Sequence, residues 1–170
     1  MKNTILCSIV LLLLSPICIA APQVGDEPID VLGKDLQGNK ILLSDYKGKV
    51  VVMSFWATWC APCMKELPVL EGIQKQVSRK KLQVLAVNFG EKKRLVKKID
   101  KVFKEDGIAL QLVHDSGRKV AKKWGVKAIP YLVMIDKNGQ VAHIHRGYSE
   151  GALPAIIREV NELLAERFEL

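Results

Sequence analysis

Cys60 and Cys63 are the residues whose type and spacing can do chemistry, in the stretch Trp59-Cys60-Ala61-Pro62-Cys63. The apolar run Val50 to Trp56 just before them reads as a buried strand, and the residues after them read as a helix. Two thiols spaced CxxC at a helix start can pass a disulfide to and from another molecule. Unpaired N–H groups and the macrodipole at a helix N-terminus favour the thiolate of the first cysteine, which is the attacking species. Cys63, one turn inside the helix, is placed to attack a mixed disulfide at Cys60 and release the partner. A structural staple is the other use of such a pair, but closing so short a loop removes little unfolded-state entropy. Thiol-disulfide exchange is therefore expected, with Cys60 as an exposed nucleophile and Cys63 as the resolving thiol.

The compartment follows from the first residues. Lys2 gives a short positive start, Ile5 to Leu14 is almost continuously apolar, and Cys18-Ile19-Ala20 offers small residues where a signal peptidase reads. Residues 1–20 are expected to be a signal peptide cut before Ala21, with a retained membrane anchor as the alternative. Either way residues 21–170 form the folded domain outside the cytoplasm, periplasmic or otherwise exported. Of the four cysteines, Cys7 and Cys18 fall in the leader, so Cys60 and Cys63 remain. A disulfide-stabilised exported domain would carry more, at wider spacing. Without Lys2 the formal charge of +8 becomes +7, so the domain is basic.

The elements that must position the pair can be read along the chain. Ile29 to Leu43 turns at Gln37-Gly38-Asn39 and reads as a hairpin. The helix after Cys60 carries Leu67, Leu70, Ile73 and Val77 on one side, and Leu82 to Phe89 reads as a second buried strand. Glu91 to Glu105 reads as an amphipathic helix with Leu95, Val96, Ile99, Val102 and Phe103 inward. A short strand near Leu110 to Val113 and a short helix from Gly117 to Trp124 follow. Tyr131 to Ile135 and Gln140 to His145 flank Asp136-Lys137-Asn138-Gly139, a hairpin signal. The last helix buries Leu153, Ile156, Ile157, Val160, Leu163 and Leu164. It starts near Ala152, since Pro154 is tolerated only in the first turn. Buried strands linked by helices need crossovers, while the closing pair is antiparallel. The order predicts an α/β fold: a mixed central sheet, helices on both faces and an added N-terminal β-hairpin.

Phe55-Trp56-Ala57-Thr58-Trp59-Cys60-Ala61-Pro62-Cys63 followed by Met64-Lys65-Glu66-Leu67-Pro68 resembles the thioredoxin superfamily. Within it the chain looks like the exported TlpA/ResA-like thiol-disulfide oxidoreductases. Trp124-Gly125-Val126-Lys127-Ala128-Ile129-Pro130 is similar to the second family motif, and the likeness covers roughly Asp26 to Leu164. The resemblance implies a thioredoxin-like fold, a kinking Pro68 in the active-site helix, and a cis Pro130 facing the cysteines. The Ile129 backbone would then be free to pair with an extended substrate. Cytoplasmic thioredoxins carry a buried Asp in the central strand where this chain has Ser54, a hydroxyl that cannot act as a base at neutral pH. Glu66, at i+3 from Cys63, lies on nearly the same helical face. The resemblance implies that it takes over proton exchange with Cys63, and a partly buried carboxylate there would have a raised pKa. Simple electrostatic support of the first helical turn is the alternative.

Ala61 and Pro62 add no charge beside the thiols, and Pro62 presets the helix. Ala61, Pro62, Trp59, Ile129 and Pro130 are the expected substrate contacts, Trp59 at the surface and Trp56 in the core. Seven cations from Lys92 to Lys104 cover the polar side of one helix, read as a solvated face. No nucleic-acid motif accompanies them. Met64 follows Cys63, so the haem-attachment pattern CxxCH is absent. His143 and His145 share a strand face and read as exposed polar positions. Neither metal nor cofactor is expected. A copper metallochaperone using the thiolates is the rival of another class, though copper-delivering relatives of this fold typically space their cysteines CxxxC. A peroxiredoxin would need a TxxC-type motif without Trp-Cys-x-x-Cys. The expected activity is reduction of disulfides in partner proteins, for example in cytochrome c maturation. The electrons would come from a membrane-embedded thiol reductant. A periplasmic disulfide donor is the alternative direction. The domain is expected to be a monomer, touching a membrane only through an uncleaved 1–20.

Overall fold

The computed structural model describes residues 21–165, so the expected leader lies outside the described residues. Seven strands form one sheet: β1 (Val31–Lys34), β2 (Lys40–Leu42), β3 (Val50–Trp56), β4 (Leu82–Phe89), β5 (Gln111–Asp115), β6 (Tyr131–Ile135) and β7 (Val141–Arg146). Four helices pack on it: α1 (Ala61–Gln76), α2 (Lys93–Glu105), α3 (Lys119–Lys123) and α4 (Leu153–Ala165). The strand order is β2-β1-β5-β4-β3-β6-β7. β3 runs parallel to β4, and β4 to β5, while β6 and β7 are antiparallel additions beside β3. The mixed sheet with helices on both faces is the thioredoxin-like arrangement. The N-terminal hairpin is present, shorter than Ile29–Leu43, and docks at the far edge by pairing Lys34 with His114.

β3 and β4 are buried at every position because both of their faces are covered. Alternation sorts their side chains into two cores. Val50, Val52, Trp56, Val84 and Ala86 meet α1, α2 and α4 on one face. Val51, Met53, Phe55, Leu85 and Val87 meet α3 on the other. Gly33 marks a register shift in the β1–β2 ladder at φ +137°, where an added Cβ would run into the Val113 side chain.

Three sequence expectations change. α2 starts at Lys93, and its Leu95 and Val102 are 39% and 46% exposed; only Val96 and Phe103 are fully buried. The segment from Gly117 is interrupted by left-handed backbone at Gly117 and Arg118, so α3 begins at Lys119. There the buried Asp115 carboxylate accepts the N–H groups of Val120 and Ala121. α4 opens after a single 3₁₀ turn, Glu150–Ala152, with Pro154 in its first turn and Ile157 exposed.

Candidate active site

β3 delivers the chain to the site and α1 carries it away. Cys60 is the N-cap residue of α1, and its Sγ accepts the N–H of Cys63 at 3.3 Å. The sulfur thus lies where helix N–H groups converge, a position that favours negative charge. The two cysteines are joined in a disulfide. Cys60 is 4% exposed and Cys63 is fully buried, so the nucleophile expected at the surface is nearly covered in this oxidised state. Ala61 and Pro62 are exposed beside it, and Trp59 is 63% exposed. Trp56 is buried against Phe103, with ring centroids 5.2 Å apart. Pro68 stands inside α1 without ending it.

Glu66 is 1% exposed. Ser54 Oγ, fully buried on β3, donates to Glu66 Oε2 at 2.5 Å. Burial pushes the Glu66 carboxyl up to about 7, against the opposing pull of the Ser54 hydroxyl and of His145. A carboxyl one helical turn from Cys63 that exchanges its proton near neutral pH can serve as base or acid to a thiol. The Ser54 position identified in the sequence therefore holds the carboxyl rather than replacing it.

The Ile129–Pro130 peptide is cis. Pro130 is buried and Ile129 half-buried against the core that contains Cys60 and Cys63. The Ile129 N–H and C=O pair with no other backbone group among the described residues. Next to this turn, where Gly147 N–H donates to Pro130 O at 2.8 Å, an open groove of about 540 Å³ is lined by Ala61, Pro62, Lys65, Tyr148, Ser149 and Glu150.

Sequence reasoning missed two features. Glu91 reaches back to the loop before Cys60: its carboxylate accepts Thr58 N–H at 3.0 Å, Thr58 Oγ1 at 2.5 Å and Asn88 Nδ2 at 2.7 Å. No local pattern announces this bond, because its partners are 33 residues apart. His143 and His145 are not simply exposed strand positions. Both face Glu159 of α4, and His145 Nε2 lies 2.6 Å from its Oε2. Among the described residues no group of three His, Cys, Asp or Glu side chains could hold a metal ion. No described helix is long and apolar enough to cross a membrane.

The AhpC/TSA family model matches residues 24–144. The thiol-disulfide oxidoreductase ResA of Geobacillus thermodenitrificans is 37% identical over 127 residues, 75% of this chain and 71% of the relative. A Chlorobium tepidum structure described as a thiol:disulfide interchange protein DsbE superposes with a TM-score of 0.75 at 28% identity, covering 85% of this chain and 100% of that one. The exposed lipoprotein thioredoxin Etrx1 of Streptococcus pneumoniae gives 0.62 at 31% identity, over 76% of this chain and 96% of its own. The neighbours share the thioredoxin-like sheet, and the relatives share the class of reaction that a CxxC pair at a helix start can perform. The chain belongs to the AhpC/TSA family and, within the thioredoxin superfamily, to the TlpA/ResA-like protein-disulfide oxidoreductases.

Proposed function

We propose that this protein is an exported reductant of disulfides in partner proteins, of the kind needed for cytochrome c maturation. A membrane-embedded thiol reductant recharges it. Residues 1–20 direct export, as a cleaved signal or a retained anchor, and residues 21–170 are the working domain. The reading of Lys2 to Ala20 supports export, as does the likeness to a neighbour described as an exposed lipoprotein.

The observation that carries the reading is the disulfide at the start of α1 with the buried Glu66 carboxyl one turn behind it. In the reduced protein the Cys60 thiolate attacks one sulfur of a partner disulfide. That S–S bond breaks, the other partner sulfur leaves as a thiolate and takes a proton, and a mixed disulfide remains on Cys60. Cys63 passes its proton to the Glu66 carboxylate and attacks Cys60 Sγ. The second partner sulfur leaves and is protonated, so two electrons have moved from the Cys60–Cys63 pair to the partner. Trp59, Ala61 and Pro62 contact the partner chain, and the Ile129 backbone beside Pro130 pairs with it by strand addition.

Trapping tests the assignment. Cys63→Ser is expected to accumulate a partner on Cys60 through a bond that dithiothreitol releases, while Cys60→Ser traps nothing and loses disulfide reductase activity. A Cys63→Ser protein with intact turnover contradicts the resolving role, and activity retained in Cys60→Ser contradicts the nucleophile.

A further inference from the structure

Ser54, Leu132 and His145 lie directly opposite one another on β3, β6 and β7. Residues paired in this way project from the same face of a sheet, so His145 shares the face of Ser54 at two strand spacings, about 10 Å. Ser54 donates to Glu66, which places the Glu66 carboxyl over this row from the helix side. At the β7 end His145 is held in turn. Its Nε2 is 2.6 Å from Glu159 Oε2, and His143 Nδ1, two residues back, is 3.9 Å from Oε1. The side chains of His145 and Glu159 are 24% and 14% exposed, so this cluster stands between the closed interior at Glu66 and solvent.

The groups that act on Glu66 can be named element by element. Ser54 comes from β3, Cys63 from one turn earlier on α1, His145 from β7, and Tyr148 from the turn after β7, where Glu66 helps to raise the phenol pKa after burial and Glu150. Glu159 of α4 and His143 stand behind His145. Lys65 and Glu150 pair with one another in solvent. Among these groups facing Glu66, His145 alone can become a cation. With Nε2 directed at Glu159, a second proton, on Nδ1, completes the imidazolium.

We propose that His145, braced by Glu159, is a positioning residue for the resolving step: as an imidazolium it holds Glu66 in the carboxylate form that receives the Cys63 proton. This rests on the role given to Glu66 above. Burial drives Glu66 toward the protonated acid, and the charge at His145 opposes it. Without that cation the carboxyl keeps its proton to higher pH and is a base for Cys63 only at higher pH. The strand reading missed this because only the packing of α1 on the sheet brings Glu66 over the face that carries His145.

The test uses the disulfide form, in which neither Cys60 nor Cys63 titrates. The Glu66 side-chain carboxyl is followed by carbon NMR against pH in the natural protein, in His145→Gln and in His145→Arg. His145→Gln is expected to raise the Glu66 midpoint by roughly half a pH unit or more, the scale of a partly screened charge pair. His145→Arg, a permanent cation, is expected to keep it at or below the natural value. A midpoint that ignores His145→Gln, or that rises equally in both variants, overturns the proposal. In the reduced protein the pH profile of the resolving step should move to higher pH in His145→Gln and not in His145→Arg. If that profile responds to Glu66→Gln but not to His145→Gln, only this inference falls. If it ignores Glu66→Gln, the role of Glu66 falls and this inference with it.

Discussion

At Glu66 a carboxyl of ordinary pKa 4.5 is pushed up to about 7 by burial. Between those values the folded protein binds a proton that the unfolded chain has released, so stability falls as pH rises through this window. Above it the buried carboxylate costs roughly 3 kcal/mol. Glu66→Gln removes that cost. Its stability is expected to match the natural protein's near pH 4.5 and to exceed it progressively toward pH 8, as measured by denaturant unfolding across the range. Parallel stability curves for the two proteins would contradict this. The same substitution removes the proton acceptor, so the resolving step should slow and lose its dependence on pH near 7; an unchanged profile would leave Glu66 a structural role. The placing of Cys60, Cys63 and Glu66 at the start of one helix was legible in the sequence because their spacing is local, while the role expected of Glu66 came from the family resemblance. The Ser54–Glu66 bond was not, since two strands of reasoning, a missing Asp and an extra Glu, meet only when α1 is laid on β3.

The elements β3 and β4 were readable to the residue, as runs buried on both faces leave little choice of period or boundary. α2 was read two residues early because Glu91 looks like its first residue. Its carboxylate instead clamps Thr58 and Asn88, and the helix begins at Lys93. Leu95 and Val102 fit the helical period but sit at the edge of the apolar stripe, where the sheet no longer covers them. α3 was read from Gly117, although the turn there needs positive φ at both Gly117 and Arg118. Glu91 ties the start of α2 to the loop that presents Trp59 and Cys60. Glu91→Ala strips the acceptor from three donors and is expected to cost about 1–3 kcal/mol of stability. It should also raise KM for a protein disulfide more than it slows reaction with a small one, because Trp59 follows directly on the freed Thr58. Equal effects on the two substrates would show that the clamp serves the fold alone.

Across the whole molecule the mixed sheet was legible from buried strands, crossovers and a closing hairpin, whereas the strand order comes from the structure alone and puts the start of α1 beside the Ile129–Pro130 turn at one end of β3 and β6. The direction of electron flow is a property of the entire site. Related CxxC proteins span reduction potentials from about −270 to about −120 mV, and about 30 mV is tenfold in the equilibrium constant. Helix N–H groups at Cys60 and the proton acceptor proposed at Glu66 would act on the two thiols separately, so their balance would decide which partner is reduced. The most direct measurement is the equilibrium reduction potential of residues 21–170, carrying the natural Cys60–Cys63 pair, at pH 7 against glutathione and dithiothreitol couples. A dedicated reductant is predicted to lie at or below the value of thioredoxin, about −270 mV, and so to need its own electron supply. A potential near the oxidising end, about −120 mV, would make the protein a disulfide donor and contradict the role proposed for it in cytochrome c maturation.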